Sequence, residues 1–414
     1  MAPPPPPAPP TASRQQSRSA RPCLATRRCW PQRQYAQVRH QRLCKASTIT
    51  ENPGNEIEST QGLRVSVAIP FPDAHPVHPE VSSALLPRPG SQGDTLIVAD
   101  VGGTYARLAL ADVVVGQAPR IRNLRRYACA DFASLAAILA AFRASQHLAP
   151  ATAVVAIAGL LEGDHLVNTN LPWSVSVAAT RRDAGLATLD LINDFEAVAY
   201  AIPHVAQDTL VALNGEPADG GRWPALVLGP GTGLGGALRF EAGARAVLAS
   251  EAGHAALGAG TALELQVLQQ MLARWEHVDN ERILSGSGLM NLYPALCTIR
   301  GETPQWPTPE ALIAAAHAGE DALAVEALEV FCGWLGSLAG DLAVTFGARS
   351  VYLAGGISSH VARFLDDGHF RTRFLAKGVM RRVLEQVPVW RVEHGELGVV
   401  GAAVWHAEHR CAAA

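Results

Sequence analysis

Two glycine-centred turns, each set between apolar strands, constrain the fold of this 414-residue chain more than any other feature. The first reads TLIVADVGGTYARLAL and the second reads PALVLGPGTGLGGALRF. Apolar, β-branched residues on both sides of a turn predict strands, and glycine permits the tight turn between them. The similarity is far shorter than a solenoid repeat. It predicts two related lobes, each with a glycine hairpin.

The chain from residue 95 alternates apolar strands with helical patterns, which is typical of an α/β protein. The pattern predicts strands at residues 95–99, 107–113, 152–158, 189–192, 224–228 and 351–353. It predicts helices at residues 131–143, 195–201, 261–273 and 322–346.

Residues 1–94 differ from the rest in composition. They hold 16 of the 28 prolines and 11 basic against 6 acidic side chains. The near-continuous proline at residues 3–10 disfavours a helix, and the segment lacks hydrophobic periodicity, which predicts a disordered extension. An arginine-rich targeting segment and a proline-rich tail that docks a partner are the alternatives.

The remainder of the chain holds 23 basic and 31 acidic side chains. This net negative charge disfavours binding to nucleic acid or to a membrane surface. No uninterrupted apolar run reaches the roughly 18 residues of a membrane span, so none is expected. The seven cysteines form no CxxC pair, which is typical of reduced thiols in a cytoplasmic protein.

The glycine turns have two interpretations, a plain hairpin and a place where backbone N–H groups bind phosphate. Thr104 and Thr232 follow the glycines, and their hydroxyls are natural phosphate donors. Asp100 precedes the first turn, where a carboxylate binds Mg²⁺ through water. The chain has two lysines, Lys45 and Lys377, and no P-loop motif. Any phosphate therefore depends on backbone N–H groups, threonine hydroxyls, Mg²⁺ and arginine.

Six motifs occur in an order and spacing that resemble the bacterial glucokinase family, within the actin/hexokinase/Hsp70-like ATPase superfamily. They are ADVGGTYARLAL, LINDFEAVAYAIP, GPGTGLGGA, SEAGH, ERILSGSGLMNLY and LAGGI. The resemblance covers about residues 95–410. It implies an α/β, two-lobed actin-like ATPase (ribonuclease H-like) fold with a cleft between the lobes. The small lobe would comprise residues 95–204 and 395–414, and the large lobe residues 205–394, after the extension 1–94.

The resemblance implies that the two hairpins hold ATP phosphates from opposite lobes and that LAGGI lies near the adenosine. The implied nucleotide-binding residues are Ala99, Asp100, Val101, Gly102, Gly103, Thr104, Gly231, Thr232, Gly233, Gly355 and Gly356. Mg²⁺ would be bound near Asp100, through water.

The resemblance also implies that Asp194 is the catalytic base. The pattern supports this independently, because Asp194 leaves a buried strand and begins a helix, where the helix dipole would keep its carboxylate ionised. A positioned carboxylate accepts the proton of a sugar hydroxyl as that hydroxyl attacks the γ-phosphate. The alternative is a plain helix N-cap, and the two roles are compatible.

The resemblance further implies a set of residues that bind the sugar hydroxyls. They are Asn193, Asp194, Glu251, His254 and Glu281. A carboxylate accepts hydroxyl hydrogen bonds, and a neutral histidine accepts one and donates one. The E-x-x-H spacing also fits a metal motif, but it occurs once and Gly253 disfavours a helix, so zinc is not expected. A solvated surface charge is the alternative for each acid. Asn170 and Trp173 lie where the family approaches the sugar cleft, although core packing suits Trp173 equally well.

The chain departs from the family pattern at three places. Tyr105 stands where the family commonly has Asn, and Leu160 and Leu161 replace a turn that commonly contains Pro. Ser250 and Ala252 stand where glycines are frequent. These departures affect the predicted sugar-side loops more than the phosphate chemistry.

Together these features predict ATP-dependent phosphorylation of D-glucose at its 6-hydroxyl, with ATP and Mg²⁺ as cofactors. A kinase for another hexose, a sugar-sensing regulator on the same fold and an inactive scaffold are the alternatives. Polyphosphate as the phosphoryl donor in place of ATP is a further alternative. The resemblance implies a cytoplasmic enzyme of glycolysis and a homodimer.

Overall fold

The computed structural model describes residues 93–412, apart from residues 115, 148–149, 169–170, 216–221, 242–245 and 394. The predicted extension therefore lies outside the described residues, except for residues 93 and 94.

The described residues form fourteen strands. In chain order they are β1 (Asp94–Val101), β2 (Tyr105–Val113), β3 (Arg120–Ala128), β4 (Thr152–Ile157), β5 (Leu160–Glu162), β6 (His165–Val167), β7 (Val175–Ser176), β8 (Thr188–Ile192), β9 (Leu210–Asn214), β10 (Ala225–Pro230), β11 (Leu234–Arg239), β12 (Val247–Ser250), β13 (Ser350–Leu353) and β14 (Val389–Val392).

The same residues form twelve α-helices. They are α1 (Leu135–Ala144), α2 (Val177–Asp183), α3 (Asp194–Ala201), α4 (Ala262–Leu272), α5 (Gly286–Arg300), α6 (Pro309–Ala318), α7 (Ala322–Phe346), α8 (Gly356–His360), α9 (Ala362–Asp366), α10 (His369–Phe374), α11 (Arg381–Leu384) and α12 (Leu397–Ala412).

Two sheets repeat one arrangement. The first has the strand order β3-β2-β1-β4-β8, and the second has the order β12-β11-β10-β13-β14-β9. In each, an antiparallel hairpin (β1–β2, β10–β11) is followed by a parallel strand on its first member (β4, β13). The two hairpins predicted from the glycine turns are confirmed. A small antiparallel sheet, β5-β6-β7, adjoins them in sequence.

The alternation of side chains along β1 explains how the first sheet is covered. Ile97 and Ala99 point to the face that packs on α1, whereas Leu96 and Val98 point to the face that packs on α12. Both faces are apolar, as expected for strands buried between helix layers. The C-terminal helix thus belongs to the core of the first sheet.

The second sheet packs on helices around α7. Buried α7 side chains include Phe331, Trp334 and Leu335, all within the largest core cluster. By length and composition α7 could also cross a membrane, although 61% of its most apolar window is buried inside the protein. That burial is what a core helix requires.

Most sequence-based element predictions are confirmed within about two residues, and α7 has the predicted bounds. The helix predicted at residues 131–143 is wrong at its start. Cys129–Asp131 form a 3-10 turn, and α1 begins at Leu135 because the Ser134 hydroxyl accepts the N–H of Ala137. A side-chain cap determined this boundary, which the apolar periodicity did not show.

Helices α12 and α3 approach so closely that a side chain cannot fit between them. A Cβ at Gly401 would lie 1.7 Å from the carbonyl oxygen of Ala197. Because α3 leads out of β8 and α12 covers β1, this contact fixes α3 against the helix that covers the first sheet.

We predict that Gly401→Ala lowers the melting temperature by several degrees, although the same change in an unconstrained helix is favourable by about 1 kcal/mol. The overlap with Ala197 should cost about 1–3 kcal/mol as overpacking. Thermal unfolding of purified protein measures this. Gly258→Ala is the matched control, since a Cβ there would meet no atom within 4 Å. Equal melting temperatures for the two variants would contradict the close contact.

Candidate active site

The two glycine hairpins end in short exposed loops. In the first, the N–H of Gly102 donates to the carbonyl oxygen of Tyr105 at 3.0 Å. In the second, the N–H of Gly231 donates to the carbonyl oxygen of Gly233 at 2.8 Å. Gly102, Gly103, Thr104 and Thr232 are exposed, so the threonine hydroxyls of both turns and the backbone N–H groups outside these two bonds are accessible.

The predicted nucleotide-binding residues of β1 divide into two groups. The side chains of Ala99 and Val101 are buried in the core that β1 shares with α1. Only Asp100 points to the opposite face. Cys129 supports the turn from behind, because its N–H donates to the carbonyl oxygen of Thr104 at 2.9 Å.

Asp100 lies in a confined, partly charged position. Its carboxylate is 3.2 Å from the guanidinium of Arg107, its cross-strand neighbour. A Cβ at Gly398, near the start of α12, would lie 2.7 Å from the carboxyl carbon of Asp100. Burial raises the pKa of Asp100, while the charge of Arg107 and its hydrogen bond lower it and only partly offset burial.

The start of α3 places the predicted base. Asn193 is the N-cap, and its side-chain oxygen accepts the N–H groups of Phe195 at 2.9 Å and Glu196 at 3.1 Å. The alternative in which Asp194 is the cap is therefore wrong, because Asn193 performs that role. Asp194 is the first helical residue, and its own carboxylate accepts the N–H of Phe195 at 2.9 Å.

Burial dominates the electrostatics of Asp194. Its pKa is raised to about 6 by burial, with further contributions from the negative charges of Asp100 and Glu251, against hydrogen bonds from the backbone that lower it. The sequence-based expectation was that the helix start keeps this carboxylate ionised. It did not include burial, which favours the protonated form. Asp100 and Glu251 therefore each lie within electrostatic reach of Asp194.

The ring of Phe195 lies against the second hairpin. Gly229 and Gly235 are cross-strand partners, one residue pair away from the last pair before the turn. A Cβ at Gly235 would lie 1.8 Å from the Phe195 ring, and one at Gly229 would lie 2.6 Å from it. Two glycines thus make room for the residue that follows Asp194, which brings the predicted base beside the second turn.

Leu234, the first residue of β11, joins this hairpin to the predicted sugar-binding loops. Its N–H donates to the Glu281 carboxylate at 2.8 Å. A Cβ at Gly253 would lie 2.4 Å from the carbonyl oxygen of Leu234. Glu281 also crowds Gly233, where a Cβ would be 2.5 Å from the carboxylate. Both loops therefore rest on the turn predicted to hold phosphate.

Glu251 and His254 are exposed at opposite ends of a short turn. Their side chains approach to 4.0 Å, and His254 Nδ1 lies 3.6 Å from a carboxylate oxygen of Asp279. Asn280 ties this turn to the loop of Glu281, because its amide donates to the carbonyl oxygen of Ala252 at 3.0 Å. The three predicted sugar-side residues of these two loops are thus held by one connected structure.

The LAGGI motif packs on the other side of the second hairpin. Gly355 has a φ of 96°, and a Cβ there would lie 2.7 Å from the carbonyl oxygen of Pro230. Gly356 begins α8. The N–H of Gly286, at the start of α5, donates to the carbonyl oxygen of Gly231 at 2.9 Å. The turn at Gly231–Gly233 is consequently surrounded by the other predicted site segments.

The structure does not place Asn170 or Trp173, the two further residues expected near the sugar cleft, in the site. Asn170 lies outside the described residues. Trp173 packs against the core of the first sheet, and its indole N–H donates to the carbonyl oxygen of Cys129 at 3.4 Å. Its observed contacts are those of a core residue.

The carboxylates near the two turns determine whether Mg²⁺ could be held there. No cluster of three or more His, Cys, Asp or Glu side chains suited to a metal occurs among the described residues. Mg²⁺ is commonly bound by one or two carboxylates together with substrate phosphates. Asp100, which lies within electrostatic reach of Asp194, fits that limited role.

Comparison with known proteins agrees with this architecture. The family model described as glucokinase matches residues 97–409. The chain belongs to the glucokinase family. A glucokinase-like protein of Xylella fastidiosa is 44% identical over 317 residues, which cover 75% of this chain and 94% of the relative.

Solved structures of two sugar kinases share the fold. A glucokinase from an Antarctic psychrotroph is 34% identical with a TM-score of 0.68, covering 77% of this chain and 99% of that chain. A ROK family glucokinase from Streptomyces griseus, solved with glucose and AMPPNP, is 20% identical with a TM-score of 0.51, covering 75% and 98%. The actin-like ATPase fold is confirmed. The predicted lobe boundaries at residues 204 and 395 stay predictions, as do the individual site residues.

Sequence reasoning missed several residues that build the site. Arg107 pairs with Asp100, Asp279 faces His254, and Phe195 fills the space over two glycines. Gly398 and Gly401 of α12 were also missed; a Cβ at the first would meet the Asp100 side chain and one at the second would meet the backbone of Ala197. The contacts of Asp279 and Phe195 join residues far apart in sequence and had no local sequence signal, whereas Arg107 and Asp100 are seven residues apart across the predicted hairpin.

We predict that Gly235→Ala lowers kcat at least tenfold, because the methyl group would displace Phe195 and with it the start of α3. Phe195→Ala removes the obstructing ring, so the double variant should recover part of the activity that Gly235→Ala loses. Steady-state kinetics on the four proteins of this cycle measure the coupling. Strictly multiplicative losses would contradict the contact.

We also predict that Asp194→Asn stabilises the folded protein at neutral pH. The pKa of Asp194 in the folded protein, about 6, exceeds its ordinary value of 3.8. The favourable contribution of the protonated carboxyl is therefore fully present below that ordinary value and is lost as pH rises through about 6. The variant should gain up to about 3 kcal/mol at pH 7.5 and progressively less towards pH 4.5. Denaturant unfolding across this range measures the difference. A gain that is independent of pH would contradict burial as its cause.

Proposed function

We propose that this protein transfers the γ-phosphoryl group of ATP to the 6-hydroxyl of glucose. The observation that carries the proposal is Asp194, a largely buried carboxylate at the start of α3 with a pKa of about 6. It adjoins the second glycine hairpin through Phe195 and lies within electrostatic reach of Asp100. Membership of the glucokinase family supports the same reaction.

In the proposed reaction, Asp194 accepts the proton of the 6-hydroxyl while the sugar oxygen forms a bond to the γ-phosphorus. The bond between that phosphorus and the β–γ bridging oxygen breaks, and ADP leaves with its electron pair. A carboxylate with a pKa of about 6 is mainly ionised at neutral pH and is a stronger base than an ordinary aspartate. This position suits proton acceptance.

The two hairpins would hold the phosphates from opposite sides. Gly103 and Thr104 offer exposed donors on one side, beside Gly102, whose N–H is bonded within the turn, and Gly231, Thr232 and Gly233 form the other turn. Mg²⁺ would neutralise charge on the transferring phosphoryl group, held by the phosphates and, through water, by Asp100. The backbone near Gly355 and Gly356 would contact the adenosine side.

Asn193, Glu251, His254 and Glu281 would bind the sugar together with Asp194. Such donors and acceptors distinguish hexose epimers, because an absent or inverted hydroxyl leaves polar groups unpaired. The link from Glu281 to Leu234 gives the sugar-side loop a direct contact with the second hairpin. We further propose a cytoplasmic, homodimeric enzyme of glycolysis that uses ATP and binds neither nucleic acid nor membranes, as the family resemblance and the net negative charge favour.

The test is an assay of ADP release across glucose, mannose, fructose and N-acetylglucosamine. We expect glucose to have the highest kcat/KM, and Asp194→Asn to lose at least 100-fold in kcat while retaining glucose binding. Asp183→Asn, an exposed change on α2, is the control. Higher turnover on another sugar would contradict the assignment of glucose as the substrate. Glucose binding without wild-type turnover would favour a regulator.

The pH dependence is a separate prediction. Because the base must be ionised, kcat/KM for glucose should fall tenfold for each pH unit below about 6. Asp100→Asn should move this limb to lower pH, since one negative charge that raises the Asp194 pKa is removed. Initial rates between pH 4.5 and 8 measure both profiles. An acid limb near pH 4 in the wild type would contradict a buried base.

A further inference from the structure

Tyr105 and Arg126 form a stacked pair beside the first glycine hairpin. The guanidinium carbon of Arg126 lies 4.3 Å from the centre of the Tyr105 ring. Both side chains are exposed, and Tyr105 directly follows the turn at Gly102–Thr104. A cation within about 6 Å of a ring face is held there by the ring quadrupole. The pair therefore places an oriented positive charge next to a turn predicted to bind phosphate.

The strand register shows that Arg126 leans towards the turn. The cross-strand partner of Arg126 is Arg107, whereas the partner of Tyr105 is Ala128. The guanidinium thus reaches from the level of Arg107 to the ring of Tyr105, two residues nearer the turn. Arg107 occupies the adjacent space with its bond to Asp100, and repulsion between the two guanidinium groups favours the direction that Arg126 takes.

Arg126 is a cation without an acidic partner among the residues that the structure describes. Arg107 is paired with Asp100, and Arg122 on the same strand is paired with Asp112. No ion pair in the described ranges involves Arg126. A neutralised arginine contributes little to phosphate binding, whereas one that is pre-oriented and unpaired retains its donors for a ligand.

We propose that Arg126, held by the ring of Tyr105, binds the terminal phosphate oxygens of the nucleotide at the first hairpin. This inference rests on the proposed function, which places ATP there. Its chemistry compensates for the scarcity of lysine, because the chain has two lysines, Lys45 and Lys377, and neither lies in the two glycine hairpins. It also gives a role to Tyr105, a departure from the family pattern, since its ring orients the guanidinium.

The experiment is equilibrium binding of AMPPNP and AMP to the full chain, with Arg126→Ala compared with Arg125→Ala. Arg125 is exposed and adjacent on β3, so its side chain points to the opposite face of the sheet. Arg126→Ala should weaken AMPPNP binding about tenfold, the size expected for losing one charge-assisted contact, and AMP binding less than about twofold. Arg125→Ala should leave both dissociation constants unchanged.

Two further variants separate charge from orientation. Arg126→Lys should lie between wild type and Arg126→Ala, because lysine keeps the charge and loses the planar stack. Tyr105→Ala should weaken AMPPNP binding about threefold, as expected for losing an exposed cation–π contact. A Tyr105→Ala effect that persists in the Arg126→Ala background would show that the ring does not act through the arginine and would overturn that part.

The binding and turnover results distinguish failure of this inference from failure of the proposed function. Equal AMPPNP affinity of the Arg126 and Arg125 variants overturns the inference, as does an equal loss of AMP and AMPPNP affinity. Wild-type binding of AMPPNP without turnover of any sugar contradicts the proposed function, while the inference about Arg126 is still decided by the binding constants. Turnover that is intact in Arg126→Ala with unchanged AMPPNP affinity contradicts the inference alone.

Discussion

The contact between the Phe195 ring and the paired glycines of the second hairpin is the constraint on which the rest of the site depends. Because Gly229 and Gly235 have no side chains, the ring reaches the backbone of β10 and β11 directly. The residue before Phe195 is the predicted base, and the turn beyond the glycines is the predicted phosphate site. The distance between chemistry and phosphate is therefore determined by close packing, which tolerates little displacement.

The same hairpin also connects to the sugar-side loops through Leu234. Its N–H is bound by Glu281, and its carbonyl oxygen leaves no room for a side chain at Gly253. A shift of the phosphate turn would consequently be transmitted to the residues proposed to bind sugar. The site is a set of loops assembled on one short strand pair, and this explains why five glycines in or beside it cannot be replaced without displacing a neighbour. They are Gly229, Gly233, Gly235, Gly253 and Gly355.

Much of the fold and the general composition of the site followed from local patterns. The two hairpins, the buried strands and α7 were predictable because apolar periodicity and glycine turns act over a few residues. The start of α1 was not, because the Ser134 cap overrides the apolar pattern there. The ionisation of Asp194 was misjudged for a related reason. Its position at a helix start is readable from sequence. The effects that raise its pKa are not, because they are its burial in the folded protein and the charges of Asp100 in β1 and of Glu251.

The sequence by itself determined the repeated hairpin design, the aspartate at a strand-to-helix junction and the family to which the chain belongs. These depend on residue types at short, fixed spacings. Only the tertiary structure decided that Asn193 and not Asp194 caps α3, that Arg107 is engaged by Asp100, and that Arg126 stacks on Tyr105 beside the turn. The ion pair and the stack depend on strand register and on which faces meet across the fold. Each of the three contacts competes with other contacts that the same residues could make locally. Packing in the folded protein selects the one that forms.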